Sequence, residues 1–271
     1  MFADLHIHST FSDSSRSPEA IARAAKRQHV SLLSVCDHGT IASYERLAAA
    51  CKQNGISYVL GIEMGASMHG DTHDILVYSF DKANEKMREL VRRQNAISEK
   101  ECEAMIVKMS GDYPQVSLTG YRSYEVPRDA GGWKYLHYAA AKGICKTYAE
   151  ANQVIFAKYY EAGEETLPVE EYCGTAKQAG GVPVLAHPGN MPPERLVSLF
   201  RDMQERGVEG VECFYPSHSK ATIEACLYYC RRNNLRITCG CDCHGAYDRS
   251  PGFTIGSLKI PRDMLDLRGI S

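Results

Sequence analysis

Six short stretches of the sequence end in histidines or carboxylates, the side chains that bind transition metals. The first carries His6 and His8, which are two residues apart. On a strand such residues point to the same side, so both imidazoles can bind one ion. The same stretch ends in Asp13. The other candidates follow later apolar runs and are Asp37, His38, Glu63, His187, His218, Asp242 and His244. Nitrogen and carboxylate ligands together suit manganese, iron or zinc better than calcium or magnesium.

His73 departs from this pattern, because it precedes its apolar run "ILVY" instead of following it. Its strand therefore runs in the other direction or has a different register. Each stretch alone is a weak signal, since a histidine at a strand end is often only hydrogen-bonded. Their repeated occurrence at strand ends favours a shared metal site. His29, His69 and His137 lack such neighbours and are assigned to the surface or to a cap.

The stretch "CGCDCHG" combines three cysteines with the pair Asp242 and His244. A structural zinc site usually has Cys-x₂₋₄-Cys spacing, which Cys-x-Cys-x-Cys does not match. In the strand-like run "LRITCGCD", the cysteines alternate with Asp242 and therefore face the opposite side. We expect the cysteines to be buried as small apolar residues behind the site.

Strand-like and helix-like segments alternate in two parts of the chain, residues 1–80 and 172–271. The first part contains "FADLH", "LLSVCD" and "SYVLGIE" as strands, with helices between them. Such alternation predicts a mostly parallel sheet or barrel, in which the carboxyl ends of the strands meet at one functional face. Residues 81–171 are helical, charged and rich in tyrosine. We interpret this segment as a helical insertion, or cap, in a single α/β domain.

The composition limits the classes of partner and compartment. The net charge is −2, so the chain lacks the basic character typical of proteins that bind long nucleic acids. No apolar run approaches the ~18 residues of a membrane span, and the N-terminus does not resemble a signal peptide. The eleven scattered cysteines are typical of free thiols in a reducing cytoplasm.

Seven motifs occur in the order in which one known family carries them: "DLHIHSTFSD", "VCDHGT", "GIEM", "THDILVY", "VLAHPG", "ECFYPSH" and "CDCHG". The chain therefore resembles the PHP family, named for polymerase and histidinol phosphatase, over nearly all of its α/β part. Within that family it is similar to stand-alone phosphoesterases that have a helical insertion.

The resemblance implies a distorted (β/α)7 barrel, similar to a TIM barrel, that holds two to three divalent ions (Mn, Fe or Zn). The ligands that it implies for a first ion are His6, His8, Glu63 and Asp242. Those for a second are Asp13, His38 and His244. His73 and His187 would hold a third ion, bridged by Glu63.

The resemblance is incomplete where the substrate would bind. Several relatives carry an arginine after "HPG" that contacts the substrate phosphate, whereas this chain has Asn190. The insertion is only loosely similar to that of the relatives. Its candidates for substrate binding are Lys134, His137, Arg122 and Arg128.

The chemistry implied is hydrolysis of a small phosphorylated metabolite, which is a nucleotide, a sugar phosphate or a cyclic phosphate. A metal-bound hydroxide would attack phosphorus, since binding to zinc can lower the pKa of water to about 7. His218 is the candidate that contacts the phosphate or the leaving oxygen, and Asp37 the candidate that orients His38. The alternatives are an exonuclease acting on short oligonucleotides, a non-catalytic metal-binding regulatory module and, more remotely, a metal-dependent amidase.

Overall fold

The computed structural model describes residues 1–127, 129–151, 154–155, 157–160, 166–248 and 252–270. Its strands form one eight-stranded sheet in the order β7-β6-β5-β4-β3-β2-β1-β8. In chain order these are β1 (Phe2–Asp4), β2 (Val30–Val35), β3 (Ser57–Met68), β4 (Asp71–Tyr78), β5 (Val182–Leu185), β6 (Gly210–Phe214), β7 (Arg236–Cys239) and β8 (Ile260–Pro261).

The sheet curves until its ends nearly meet. The N–H of Leu5, just after β1, donates to the carbonyl of Cys239 at 3.0 Å. Ile7 and Cys243 form a further parallel bridge between the same two segments. The short strand β8 pairs antiparallel with β1. The predicted fold class, a distorted α/β barrel, is confirmed, with this eighth strand added at one edge.

Strand β4 is antiparallel to both of its neighbours, β3 and β5. It forms a hairpin with the long strand β3, in which Gly65 pairs with Asp74 and Ala66 with His73. The other pairs among β1, β2, β3, β5, β6 and β7 are parallel. Because β4 runs in the opposite direction, its first residues lie at the end of the barrel where the parallel strands finish. A candidate ligand on this strand, such as His73, therefore precedes the apolar run instead of following it.

The described part of the chain contains ten α-helices, some against the barrel and some in the insertion. They are α1 (Pro18–Arg27), α2 (Tyr44–Asn54), α3 (Glu85–Asp112), α4 (Leu118–Ser123), α5 (Lys134–Ala141), α6 (Tyr148–Ala151), α7 (Ala157–Tyr159), α8 (Val169–Gln178), α9 (Pro193–Glu205) and α10 (Lys220–Asn233). Local sequence sets their ends: the Ser17 side chain accepts from the N–H of Ala20 before α1, and Gly55 closes α2 with a φ of +70°. Each described helix is too short or too polar to cross a lipid bilayer.

Helix α3 joins two apolar clusters. Met87, Leu90 and Ile97 near its start belong to the core that fills and covers the barrel. Met105 and Ile106 near its end belong to a second cluster, built with tyrosines of α4 and α5. The residues between the two halves of the barrel are thus largely helical and have a core of their own. The division into 1–80, 81–171 and 172–271 stays a prediction.

Candidate metal centre

Three overlapping groups of ligand atoms lie at the end of the barrel where β1, β2, β5 and β7 finish. Within each group, the atoms lie within 4.8 Å of one another. The first group is His6, His8, Glu63 and Asp242. The second group is His8, Asp13, His38 and His244. The third group is Glu63, Asp74 and His187. His8 belongs to two groups, as does Glu63, so the three groups form one continuous centre.

The first group is the most deeply buried. Nε2 of His6 lies 3.1 Å from Nε2 of His8 and 3.0 Å from Oε2 of Glu63. Nε2 of His8 lies 3.0 Å from Oδ1 of Asp242. With ligand-to-ion distances of about 2.0–2.2 Å, neighbouring ligand atoms around one ion lie roughly 3–3.5 Å apart. The separations in this group therefore fit a single bound ion.

The second group is formed around Asp13, which follows β1 in a loop. Its Oδ2 lies 3.1 Å from Nε2 of His244 and 3.6 Å from Nε2 of His38. Its Oδ1 lies 3.3 Å from Nδ1 of His8, an atom that is buried and has no hydrogen-bond partner. Oδ1 of Asp242 is likewise buried without a hydrogen-bond partner. Burying unpartnered polar atoms is costly, and cations bound in the first and second groups would satisfy them.

The third group corrects one sequence prediction. The structure brings Asp74 to Glu63 and His187, and it does not bring His73 there. Oδ2 of Asp74 lies 3.9 Å from Nε2 of His187, which in turn lies 3.2 Å from Oε1 of Glu63. Successive residues of a strand point to opposite faces, so only one of the neighbours His73 and Asp74 can face the site. Asp74 and Tyr78 are four residues apart on β4, so the two-residue period of a strand places Asp74 on the same face as the buried Tyr78. This spacing was a signal in the sequence that favoured Asp74 over His73.

Glu212 supports the centre and was not identified from the sequence. Its carboxylate is fully buried, lies 3.2 Å from Nδ1 of His6 and accepts from the N–H of His187 at 2.9 Å. A carboxylate behind a ligating histidine fixes the orientation of the ring. Gly240 makes this approach possible, since a Cβ there would lie 2.1 Å from Cβ of His6. The signal in the sequence was an acidic residue in the middle of the apolar run "VEGVECFY".

Tyr215 and Asp248 also support ligands from outside the three groups. The Tyr215 hydroxyl donates to Oδ2 of Asp242 at 2.8 Å. The N–H of His244 donates to Oδ1 of Asp248 at 2.7 Å. Both residues line the cavity above the centre, and neither was identified from the sequence.

Asp37 has a different position from the one expected. Its oxygens accept from the N–H and the hydroxyl of Ser9, both at 2.7 Å, and from the hydroxyls of Ser12 and Ser43 at 2.7 and 2.6 Å. These hydrogen bonds hold the loop that carries Asp13. The structure shows no hydrogen bond between Asp37 and the His38 side chain among the described contacts, so the expected pairing is wrong.

The charges in the centre shift the pKa values of its members strongly. Burial disfavours a charge on His187, but its hydrogen bond to Glu63 and the charge of that carboxylate raise its pKa to about 9. For His6, the carboxylates of Glu63 and Glu212 likewise outweigh burial and raise its pKa well above the usual value. Burial alone would raise the pKa of Asp13, yet the surrounding imidazoles hold it well below its usual range.

A cavity of about 520 Å³ opens above the centre. Eight of its described lining residues are Asp, Glu or His, and the other six are Trp133, Tyr135, Tyr148, Tyr215, Tyr247 and Phe253. His218, expected to contact the phosphate, does not line this cavity. Its ring is buried, with Nδ1 3.1 Å from the carbonyl oxygen of Cys213, and its Nε2 has no hydrogen-bond partner.

The other substrate-binding candidates do not line the cavity either. Asn190 joins two loops, donating to the carbonyl of Ser217 and accepting from the N–H of Ser219. Arg122 is exposed and paired with Glu103, and Lys134 donates to the carbonyl of Arg122. The ring of His137 lies behind the cavity lining, 5.2 Å from that of Tyr148. Arg128 lies outside the described residues.

Cys239, Cys241 and Cys243 are fully buried, as expected. The strand itself ends at Cys239, three residues earlier than predicted, and Asp242 has a φ of +50°. The ligand groups found among the described residues contain no cysteine. The pair Asp242 and His244 therefore belongs to the centre, while the thiols pack around it.

One protein family and several relatives match most of this chain. A model of the PHP domain matches residues 4–167. A 5′-3′ exoribonuclease from Haemophilus influenzae is 28% identical over 252 residues, covering 89% of each chain. A 3′,5′-nucleoside bisphosphate phosphatase from Chromobacterium violaceum is 27% identical and covers 93% of this chain and 90% of its own.

A phosphoribosyl 1,2-cyclic phosphate 1,2-diphosphodiesterase from Eggerthella lenta is 26% identical over 94% of this chain and 99% of its own. Among solved structures, a candidate metal-dependent phosphoesterase from Bifidobacterium adolescentis superposes with a TM-score of 0.76 at 24% identity. That likeness covers 91% of this chain and 89% of the other, and it supports the barrel fold.

Proposed function

The chain belongs to the PHP family and is a metal-dependent phosphoesterase, and we propose that its substrate is a small phosphorylated metabolite, either a nucleotide or a sugar phosphate. The observation that carries this proposal is that the three ligand groups are linked through His8 and Glu63 and that each group contributes residues to the lining of one cavity. A phosphate that reaches the base of this cavity would meet all three groups at once.

The donor set fits divalent ions of the manganese, iron and zinc type, because it combines imidazoles with carboxylates. The first group would hold one ion, the second group another and the third group a third. When bound, such ions supply Lewis acidity, which activates water at neutral pH and offsets the negative charge of the phosphate. This role suits a chain whose own net charge is −2.

The residues around the ligands keep the centre in order before substrate arrives. Glu212 fixes the ring of His6 and the backbone at His187, while Tyr215 fixes the carboxylate of Asp242. Asp37 holds the loop of Asp13. Preorganised ligands matter because small displacements of catalytic groups are costly in rate.

The size of the cavity supports a small substrate. A volume of about 520 Å³ lies within the range of about 300–1,000 Å³ found for small-molecule sites. Two of the relatives are named for small substrates, a nucleoside bisphosphate and a phosphoribosyl cyclic phosphate.

The test is a panel of phosphate esters assayed with the protein loaded with Mn²⁺, Fe²⁺ or Zn²⁺. We expect release of phosphate from at least one nucleotide or sugar phosphate. Asp242→Asn should lose metal and nearly all turnover, whereas Asp263→Asn, at an exposed position, should keep both. A folded, metal-loaded protein that hydrolyses no member of the panel would refute the proposal and favour a regulatory metal-binding module.

A second candidate function is 5′-3′ removal of nucleotides from short RNA. It is favoured by the Haemophilus influenzae relative, which carries that activity in its name and matches 89% of this chain. Comparing mononucleotides with 5′-phosphorylated dinucleotides at equal concentration separates the two functions. A preference of more than about tenfold for the dinucleotide would favour the exoribonuclease.

A further inference from the structure

The cavity lining divides into two chemical classes. Its described members are either potential metal ligands and other acidic residues or aromatic residues. No described lining residue is Lys, Arg, Ser, Thr, Asn or Gln. The part of a substrate that extends beyond the phosphate therefore meets mainly aromatic rings.

Three of these residues line one part of the cavity and are linked by ring stacking or a backbone hydrogen bond; we term them the aromatic wall: Trp133, Tyr148 and Tyr247. The rings of Tyr148 and Tyr247 are stacked, with centroids 3.9 Å apart and an angle of 26° between their planes. The ring of Trp133 lies 5.4 Å from that of His38, a member of the second ligand group. The aromatic wall thus begins directly beside the metal centre.

The backbone holds the aromatic wall in place. The Tyr148 hydroxyl accepts from the N–H of Trp133 at 2.9 Å, and the Tyr247 hydroxyl donates to the carbonyl of Ala130 at 3.1 Å. Both hydroxyls are therefore engaged within the protein. What the aromatic wall offers a ligand is the surface of its rings.

We propose that the aromatic wall binds the base of a nucleotide whose phosphate lies at the metal centre. This inference rests on the proposed function, and it selects nucleotides over sugar phosphates. Flat bases stack on aromatic side chains, and stacking tolerates every base because each has a π-face. A sugar phosphate alone lacks a flat ring and cannot stack on the aromatic wall. The aromatic wall accordingly distinguishes substrates that carry a base from those that do not. It does not distinguish one base from another.

Fluorescence gives a direct test of binding, because Trp133 is the only tryptophan in the chain. The full-length, zinc-loaded protein is titrated with adenosine and, separately, with ribose, neither of which contains a phosphate ester. We expect saturable quenching of Trp133 fluorescence by adenosine and none by ribose. Tyr247→Leu should weaken the quenching, while Tyr247→Phe, which keeps the ring, should preserve it. Equal responses to adenosine and ribose would overturn the proposal.

Kinetics give the second test, with adenosine 5′-monophosphate compared with ribose 5-phosphate. Alanine substitution of one stacking residue typically costs about 1–3 kcal/mol per base, or about 5- to 150-fold. We expect Trp133→Leu to lower kcat/KM for the nucleotide by a factor in this range and to change that for ribose 5-phosphate by less than about threefold. The control is Tyr228→Leu, since Tyr228 is 61% exposed on α10 and should affect neither substrate.

The outcomes separate the two proposals. If both substrates are hydrolysed equally well and Trp133→Leu slows them alike, the base site is refuted while the proposed function stands. If neither substrate is hydrolysed but adenosine quenches Trp133 in the wild type and less in Tyr247→Leu, the aromatic wall is supported and the phosphatase function fails for these esters.

Discussion

Oε1 of Glu212 lies 3.2 Å from Nδ1 of His6, on the edge of the ring that faces away from Glu63. Nε2 of His6 is thereby directed at the ligand atoms of the first group. Glu212 and Glu63 therefore each contact a different ring nitrogen of the buried His6. Supporting contacts of this kind determine how well the metal centre is ordered, and they yield the first prediction.

Glu212→Gln should lower metal affinity at the first group by about 10- to 100-fold, as is typical when a carboxylate behind a ligating histidine is altered. Dialysis against a graded metal buffer followed by elemental analysis measures this. Glu209→Gln is the matched control. Glu209 lies just before β6, the strand that carries Glu212, and forms an ion pair with Arg236 away from the metal centre. Equal metal affinity in both variants would show that Glu212 has no role in metal binding.

The third group allows His73 and Asp74 to be compared directly. Asp74→Ala should remove up to one equivalent of metal per chain, because Asp74 lies with Glu63 and His187. His73→Ala should leave the metal content unchanged, since its side chain is on the opposite face of β4. If His73→Ala loses the metal and Asp74→Ala keeps it, the orientation of β4 described here is wrong.

Metal loading should release protons. The pKa of His187 is raised from 6.5 to about 9 by Glu63, so its ring is protonated at neutral pH in the metal-free protein and must lose that proton to bind an ion. Apparent metal affinity should therefore fall as the pH decreases below about 9. Titration calorimetry in two buffers of different ionisation enthalpy counts the protons. Metal binding at pH 7 without proton release would contradict this.

The same shift affects the stability of the metal-free protein. Because the pKa of His187 is higher in the folded chain, its pairing with Glu63 contributes fully below about pH 6.5 and is lost as the pH rises through about 9. In the metal-free protein, the midpoint of chemical denaturation should therefore decrease over this interval. His187→Ala should flatten this part of the profile.

Asp37→Asn should destabilise the loop of Asp13, because an amide cannot accept all the hydrogen bonds that the Asp37 oxygens accept. Leaving buried donors unpaired costs roughly 1–3 kcal/mol each, so we expect a loss of more than about 2 kcal/mol in urea denaturation. Metal content at the second group should decrease with it. A variant with wild-type stability would show that the serine hydroxyls find other partners.

The three buried cysteines should be dispensable for metal binding. We expect a variant with Cys239→Ala, Cys241→Ala and Cys243→Ser to keep its metal content and to lose about 1 kcal/mol of stability per site from weaker packing. Serine is chosen at Cys243 because its thiol donates to Asp248. Loss of metal from the folded triple variant would mean that a thiolate is a ligand.

Much of the metal centre follows from the sequence alone. The two-residue period of an extended segment predicts that His6 and His8, just after β1, point to the same side. Asp242 and His244 follow the last parallel barrel strand, β7. Both features depend only on the spacing of residues within a short segment, so a short motif is enough to predict them. The alternation of strands and helices predicts a mostly parallel sheet or barrel, and in either architecture the strand ends meet at one face.

Only the tertiary structure decided which residues complete the centre. The register of the β3–β4 hairpin places Asp74 inside, and a shift of one residue would have placed His73 there instead. Glu212 contacts His6, which lies 206 positions away in the sequence. Trp133 and Tyr247 line the same cavity, although no sequence motif connects their two segments. Local sequence sets the direction of a side chain along its own strand or helix. Its partners depend on how distant segments pack, which is determined by burial of the whole core.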